Sequence, residues 1–263
     1  MDWFNNISPV WQALIATTFT WGITALGALT VCFFKDLNKK VLNTILGFSA
    51  GVMIAASFWS LLSPAIDKSV ELGYIPWVMP ALGFIIGGLF VLFSDKFLDK
   101  ALKNKGEGKD SVKKSILLVS AITIHNIPEG MAVGVAFGGI ASGVPGMTVI
   151  GALMLAIGIG IQNFPEGAAV SLPLRSVGYS RFKSFMCGQA SAIVEPISAV
   201  IGVVLVLTIR SVLPLLLAFA AGAMIAVAAR ELLPESITED KNLATIGLLL
   251  GFVLMMILDV ALG

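Results

Sequence analysis

The chain consists of long apolar runs separated by short polar stretches. Each of eight such runs reaches the ~20 residues that a helix needs to cross ~30 Å of hydrocarbon. A membrane β-barrel would instead show short segments of alternating polarity. The pattern therefore predicts an all-α polytopic membrane protein with eight transmembrane helices. The predicted spans are residues 9–34, 41–66, 76–98, 115–138, 146–174, 182–209, 213–233 and 243–262.

Composition leaves little chain for anything outside the membrane. Of the 263 residues, 57% are apolar and 13% are charged, whereas soluble domains carry about 25% charged residues. We therefore expect residues 1–263 to form a single transmembrane domain, with no separate soluble one. The longest polar stretch, residues 95–114, is rich in Lys, Asn and Gly, a composition typical of a flexible, solvated loop.

Lysine and arginine residues are distributed unevenly between the predicted loops. With the N-terminus outside, the inner loops hold 15 of the 17 basic residues, and only Lys68 and Arg210 lie outside. Such an excess of basic residues is typical of cytoplasmic loops. The sequence therefore predicts that both termini face the outside and that residues 95–114 form a cytoplasmic loop.

Two pairs of spans repeat each other's sequence. Ala50–Ala56 in the second span resembles Ala221–Val227 in the seventh, and residues 122–133 in the fourth resemble residues 159–170 in the fifth. Spans an odd number apart cross the membrane in opposite directions. The echoes therefore indicate a 3+2+3 inverted repeat, which pairs spans 1–3 with 6–8 and span 4 with span 5. Because such folds place a substrate site near the midplane, the repeat favours a transporter over an enzyme.

The repeated stretches of the fourth and fifth spans carry polar cassettes. Residues 125–130 read His-Asn-Ile-Pro-Glu-Gly, and residues 162–167 read Gln-Asn-Phe-Pro-Glu-Gly. A carboxylate at the bilayer centre costs roughly 2.5–3.5 kcal/mol on insertion scales, so an ionisable residue there is a functional-site hypothesis by default. His125 and Glu129 are four residues apart and share a helix face, as do Gln162 and Glu166. The doubling indicates one shared site, and the glycine that ends each cassette is predicted to permit close helix approach.

Prolines accompany the polar residues of three spans. Pro128 and Pro165 lie within the cassettes, and Pro196 follows Glu195 in the sixth span. A proline leaves the carbonyl four residues earlier without its helical donor. Irregular backbone at this depth is tolerated only where it is buried in protein or lines a cavity. These spans, with Met53 at a similar depth in the second span, are therefore predicted to line a cavity.

The charges and donor atoms of the predicted site suit a divalent metal ion. Glu129, Glu166 and Glu195 would place three negative charges in a dry interior, where some must bind protons if no cation is present. One divalent ion would leave about one negative charge, and two would leave about one positive charge. A mixed set of imidazole, carboxylate, amide and thioether donors suits Zn²⁺ and related ions better than Ca²⁺ or Mg²⁺. The candidate ligands are Met53, His125, Asn126, Glu129, Gln162, Asn163, Glu166 and Glu195.

Two further carboxylates lie near the inner end of the seventh span. Glu231 and Glu235 are predicted close to the cytoplasmic membrane edge. One interpretation is ordinary solvation at that edge. The other is an exit path, in which the carboxylates relay metal ions toward the cytoplasm.

The doubled cassette, the Glu-Pro pair of the sixth span and the eight-span plan resemble the ZIP (Zrt/Irt-like) divalent metal transporters. The resemblance covers essentially the whole chain. Gln162 stands where the second cassette usually carries His, and the run from Ile161 to Pro173 is similar to the GufA-type bacterial branch. The family implies import of metal ions, usually zinc, into the cytoplasm through a transporter in the bacterial inner (plasma) membrane.

The resemblance also implies a metal centre of two positions. The first matches Met53, His125, Glu129, Gln162 and Glu166, and the second matches Asn126, Asn163, Glu166 and Glu195. Some relatives carry an acidic residue where Asn163 stands, so the second position is expected to bind metal more weakly here. The family further implies a homodimer and an elevator-like movement of spans 1, 4, 5 and 6 against spans 2, 3, 7 and 8.

Other functions leave sequence signatures that this chain lacks. An intramembrane zinc protease would carry a His-Glu-x-x-His motif or an equivalent ligand set, whereas His125 is the only histidine. The phosphate-binding loop of an ATP-driven pump is also absent. A carrier that couples another solute to protons or sodium stays open. We expect no enzymatic activity, no organic cofactor and no nucleic-acid partner; the transported substrate is one or two Zn²⁺ ions, with Cd²⁺, Fe²⁺ and Mn²⁺ as alternatives.

Overall fold

The computed structural model describes residues 2–34, 38–103, 110–144 and 147–262, and all regular secondary structure in these ranges is helical. Six helical segments of this described part are long and apolar enough to cross a membrane. The prediction of an all-α protein with several membrane spans is therefore confirmed. The helices are α1 (Asp2–Asn6), α2 (Pro9–Leu29), α3 (Lys39–Ala56), α4 (Ser63–Glu71), α5 (Val78–Lys103), α6 (Asp110–Ala141), α7 (Val149–Ser176), α8 (Arg181–Ala190), α9 (Val194–Thr208), α10 (Leu213–Val227), α11 (Leu233–Ser236) and α12 (Lys241–Ile257).

The remaining two predicted spans correspond to α5 and α6. The apolar part of α5 is Val78–Ser94, which is slightly shorter than the other candidate spans. Helix α6 has 32 residues, which at 1.5 Å per residue is about 48 Å and exceeds the thickness of the hydrocarbon core. The count of eight spans stays a prediction. Of the predicted flexible loop 95–114, the ends belong to α5 and α6, and residues 104–109 lie outside the described ranges.

Helices α5 and α12 carry rows of exposed apolar side chains. On α5 they include Ile85, Leu89 and Phe93, and on α12 they include Leu249 and Val253. Contiguous apolar patches of this extent are rare on soluble monomers. They are expected where a helix faces lipid, in agreement with the membrane assignment.

The helix of the sixth predicted span is interrupted in the middle. A turn at residues 191–193 separates α8 from α9. Pro196 has no amide hydrogen to give to the Ala192 carbonyl, which instead accepts a hydrogen bond from the Glu195 amide at 3.0 Å. This break places Glu195 in the first turn of α9. Pro128 and Pro165, by contrast, lie inside helices that continue through them.

Two helices end in wide π-helical turns just before a proline. Helix α3 runs into such a turn at Ser57–Leu62, ahead of Pro64, and α10 does so at Ala228–Leu232, ahead of Pro234. Because proline cannot donate to the preceding turn, the helix widens there instead of keeping its regular hydrogen bonds. The two turns follow the repeated stretches of the second and seventh spans.

Glycines allow the main helix pairs to pack backbone against backbone. A Cβ atom added to Gly130 would lie 2.3 Å from the Glu195 carbonyl oxygen, and one added to Gly167 would lie 2.1 Å from the Thr24 carbonyl oxygen. Small residues at such contacts are typical of membrane helix pairs. The prediction that Gly130 and Gly167 permit close helix approach is confirmed. They bring α6 against α9 and α7 against α2.

The described helices fall into two packing groups. In one group, α2 packs extensively on α7, α6 packs extensively on α9, and α8 joins them. In the other, the most extensive pairs are α3 with α12 and α5 with α10. The groups meet chiefly where α6 contacts α10 and where α7 contacts α3. The polar cassettes on α6 and α7 therefore lie beside the boundary between the groups.

Candidate metal centre

Four helices bury the predicted ligands inside the protein. Met53 belongs to α3, residues 125–129 to α6, residues 162–166 to α7 and Glu195 to α9. All eight candidate side chains are buried, and none is more than 6% exposed. Charged groups are rarely buried this completely unless they are paired or bind metal.

A hydrogen bond between the two cassettes joins α6 to α7. The side-chain amide of Gln162 donates from Nε2 to Oε1 of Glu129 at 2.8 Å. Gln162 therefore contacts the carboxylate of the other cassette, as expected for one shared site. The second oxygen of Glu129, Oε2, is buried and accepts no hydrogen bond from the described residues.

Glu195 lies at a second cluster of hydrogen bonds, between α2, α7 and α9. The Nδ2 atom of Asn163 donates to Oε1 of Glu195 at 2.8 Å. The hydroxyl of Thr20, on α2, donates to Oε2 of the same carboxylate. Thr20 was not among the predicted site residues, because a buried threonine in an apolar span commonly bonds only to its own helix. Its neighbour Thr24 does so, donating to the Thr20 carbonyl at 3.3 Å.

Asn126 supports the break in the sixth span. Its Nδ2 atom donates to the Ser191 carbonyl at 2.9 Å, at the start of the turn between α8 and α9. A carbonyl exposed by a helix break inside a membrane protein needs such a donor. The side chain of Asn126 therefore holds the turn against α6.

Several oxygen atoms in this region are buried without a hydrogen-bond donor among the described residues. In both Gln162 and Asn163 the NH₂ group faces a carboxylate, so the amide oxygen is directed elsewhere. A buried acceptor without a donor costs about 1–3 kcal/mol, and a bound cation would remove that cost. The atoms are Oδ1 of Asn126, Oε2 of Glu129, Oε1 of Gln162 and Oδ1 of Asn163.

Amide side chains lie next to two of the three predicted carboxylate ligands. Within the described ranges, no three His, Cys, Asp or Glu side chains gather at the spacing of a metal site. Gln162 lies next to Glu129 and Asn163 lies next to Glu195. A metal ion in this region would therefore be bound by amide oxygens as well as carboxylates, a set of hard and borderline donors that Zn²⁺ accepts.

A large cavity reaches the predicted site from one end of the helix bundle. It has a volume of about 810 Å³, and both His125 and Glu166 line it. Its lining also includes Lys39, Glu231 and Glu235, and these two glutamates are exposed. The structure therefore brings the predicted exit-path residues and two predicted ligands into one cavity.

The π-helical turn that follows α3, at the opposite end of that helix, borders a small cavity. This cavity has a volume of about 110 Å³ and is lined by residues that include Met147, Thr148 and Asp259. The Ser60 hydroxyl donates to Oδ1 of Asp259 at 2.5 Å beside it. No predicted ligand lines this small cavity.

Sequence comparison agrees with these features. A profile of the family described as ZIP zinc transporter matches residues 8–115 and 104–259. In an alignment of 335 positions, the chain is 38% identical to the zinc transporter ZIP11 of Xenopus tropicalis. The alignment covers 98% of this chain and 99% of that protein. It is 36% identical over 257 residues to the zinc transporter GufA of Myxococcus xanthus, covering 95% and 98% of the two chains.

A third relative is the zinc transporter ZIPB of Bordetella bronchiseptica. It is 36% identical over 268 residues, which cover 98% of this chain and 84% of that protein. The matches extend over nearly the full chain and include both cassettes. The resemblance found from the cassettes is therefore confirmed, and the chain belongs to the ZIP family of zinc transporters.

Proposed function

We propose that this protein imports Zn²⁺ into the cytoplasm through a binding site between its two helix groups. In this proposal His125, Glu129 and Glu166 are the essential ligands, and Met53 and Gln162 complete the site. In the described part of the structure these three ligands are not gathered at the spacing of a metal site, so the proposal requires them to move together around the ion. The observation that carries the proposal is the cavity of about 810 Å³, which joins the buried His125 and Glu166 to exposed glutamates at one end of the bundle.

The donor atoms and the relatives support zinc as the substrate. Glu129 and Glu166 together carry the charge of one divalent ion, and the imidazole of His125 favours a first-row metal over Ca²⁺ or Mg²⁺. The three relatives described above are all named zinc transporters. Cd²⁺, Fe²⁺ and Mn²⁺ use similar ligands and are proposed as weaker competitors.

The packing supports the proposed inverted repeat of eight spans. Exchanging spans 1–3 with 6–8, and span 4 with span 5, turns the α2–α7 pair into the α9–α6 pair, and the α3–α12 pair into the α10–α5 pair. These are the four most extensive helix contacts. The π-helical turns after α3 and α10 are exchanged by the same operation. In such folds the substrate site is formed near the midplane, between the repeats.

The two packing groups suggest how access alternates. The large cavity lies at the end of the bundle that carries Lys39 and Arg230, and the positive-inside rule assigns that end to the cytoplasm. In this arrangement the structure corresponds to a state open to the cytoplasm. Movement of the group α2, α6, α7, α8 and α9 against the other group would close this cavity and open the small one. The homodimer and the bacterial plasma membrane implied by the family stay predictions.

Uptake into proteoliposomes loaded with a zinc-responsive dye tests the proposal. Replacement of Glu166 or His125 by alanine is expected to reduce saturable zinc uptake at least 100-fold, because each removes a ligand for a desolvated cation. A matched control is Glu239→Gln, which alters an exposed carboxylate paired with Lys39 and should transport normally. Full activity in both alanine variants would eliminate the proposed site. Zinc binding by the native protein without uptake would instead indicate a sensor or an enzyme.

The exit-path role of Glu231 and Glu235 needs a separate measurement. Their replacement by glutamine, singly and together, is expected to lower the maximal uptake rate two- to tenfold while zinc affinity stays unchanged. The reason is that these carboxylates contact the ion only after it leaves the site. If the double variant transports at the native rate, the two residues are solvated groups at the membrane edge.

A further inference from the structure

Each oxygen of the Glu195 carboxylate accepts a hydrogen bond from a neutral donor. Its Oε1 atom accepts a hydrogen bond from Asn163 at 2.8 Å, and its Oε2 atom accepts one from the Thr20 hydroxyl. The side chain is buried completely. Glu129 differs, because only one of its oxygens accepts a hydrogen bond from the described residues. The two glutamates therefore present different surfaces to a cation.

The backbone of Glu195 is also held by protein contacts, and its carboxylate lies near a helix N-terminus. Glu195 stands in the first turn of α9, where the partial positive charge of a helix N-terminus stabilises a carboxylate. Helix α6 presses against it, since a Cβ atom on Gly130 would lie 2.5 Å from the Glu195 Cα atom. The Asn126 side chain holds the preceding turn through the Ser191 carbonyl. The position of Glu195 is thus set by protein contacts.

The residue at position 163 decides what can lie beside Glu195. A cation bridging positions 163 and 195 would need an anionic or oxygen donor from both. Asn163 instead brings a neutral amide, whose NH₂ group is directed at the carboxylate. The nearby amide oxygens, Oδ1 of Asn126 and Oδ1 of Asn163, could accept a cation, but they add no negative charge to that of Glu195.

We propose that this transporter carries one metal ion at a time, and that Glu195 joins helices instead of binding a second ion. The inference rests on the proposed function and assigns the number of ions. Thr20, Asn163 and Glu195 form a clasp that connects α2, α7 and α9 within one packing group. Thr20 is a positioning residue that acts through Glu195. The clasp holds that group together as a unit when it moves against the other helices.

The number of zinc ions bound per purified chain tests the inference directly. Native mass spectrometry of the detergent-solubilised protein at saturating Zn²⁺ is expected to show one ion for the native chain and one for Glu195→Gln. Glu166→Ala should bind none. Two ions on the native chain, with one lost in Glu195→Gln, would overturn the inference while leaving the proposed function intact. A native chain that binds no zinc would overturn the proposed function as well.

Introducing an acidic residue at position 163 provides the converse test. Asn163→Asp removes the NH₂ donor and adds a carboxylate beside Glu195, so this variant is expected to bind two ions. The second ion should disappear again in the double variant with Glu195→Gln. A single ion on Asn163→Asp, with the protein folded, would show that Asn163 does not set the number of ions.

The clasp itself is tested at Thr20. Thr20→Val removes the hydroxyl but keeps the shape, and it should lower the melting temperature by several degrees while the chain still binds one ion. Thr20→Ser restores a hydroxyl and should recover the native melting temperature. Thr24→Val is the matched control, because the Thr24 hydroxyl bonds only within α2. Loss of the bound ion in Thr20→Val, or equal destabilisation in Thr24→Val, would overturn the role of the clasp.

Discussion

The two polar cassettes are nearly identical in sequence but have different partners in the structure. In the cassette of α6, Asn126 bonds to the backbone at Ser191. In the cassette of α7, the equivalent Asn163 bonds to the carboxylate of Glu195. Gln162, in the position that His125 occupies in the first cassette, reaches across to Glu129. The repeat thus sets where the side chains lie, and the neighbouring helices decide what each one binds.

The difference arises because the sixth span breaks and the first span does not. Both cassettes contact these outer helices through a glycine, Gly130 against α9 and Gly167 against α2. The break before α9 exposes a carbonyl to the first cassette and places Glu195 near the second. The unbroken α2 offers Thr20 instead. Two copies of one motif therefore have different partners: Asn126 bonds to the turn before α9, and Asn163 bonds to Glu195.

The largest expected effect comes from adding a side chain at the glycine through which each cassette contacts its facing helix. Gly130→Ala and Gly167→Ala each place a Cβ atom within 2.5 Å of a backbone oxygen of the facing helix. Overpacking costs typically about 1–3 kcal/mol and more when backbone must move, so we expect at least about 3 kcal/mol of destabilisation for each. Gly22→Ala is the control, since nothing lies within 4 Å of its added Cβ atom. Thermal unfolding in detergent measures all three, and native-like unfolding of either variant would disprove the close contact.

Exchange of the residues that distinguish the cassettes should have a smaller effect. His125→Gln converts the first cassette into a copy of the second and removes the only imidazole. We expect zinc affinity to fall at least tenfold, because an amide oxygen is a poorer zinc ligand than imidazole nitrogen. Gln162→His, the reverse exchange, should retain zinc binding or strengthen it a few-fold. Competition with a fluorescent zinc chelator measures both, and equal affinities in the two variants would mean that the cassettes contribute interchangeably.

The smallest expected effect separates the two asparagines. Asn163→Ala removes a hydrogen bond to a buried carboxylate, and such bonds contribute about 1.5–3 kcal/mol. Asn126→Ala removes a bond to a neutral carbonyl, and on the same basis it should cost only about 0.5–1.5 kcal/mol. Chemical unfolding of the two variants, compared with the native protein, gives the difference. A greater loss of stability in Asn126→Ala would mean that the bond to the Ser191 carbonyl is the stronger of the two.

Much of the architecture could be predicted from the chain alone. The apolar runs gave the all-helical membrane class, and the doubled cassette gave the family, because buried carboxylates are too costly to occur twice in matched positions without a function. Gly130 and Gly167 gave the helix contacts. What could not be predicted is how residues far apart in sequence meet. Thr20, for example, resembles any buried threonine until α9 is packed against α2.

The sequence by itself determined the helices and the protein family, since these follow from local hydrophobicity and from the spacing of the polar residues. Tertiary structure alone decided that Gln162 faces Glu129, that Glu195 is held by Thr20 and Asn163, and that one cavity joins His125 to Glu231. The physical reason is the range of the interactions. Helix formation and membrane partition depend on neighbouring residues, whereas hydrogen bonds and metal sites depend on atoms brought within about 3 Å by packing.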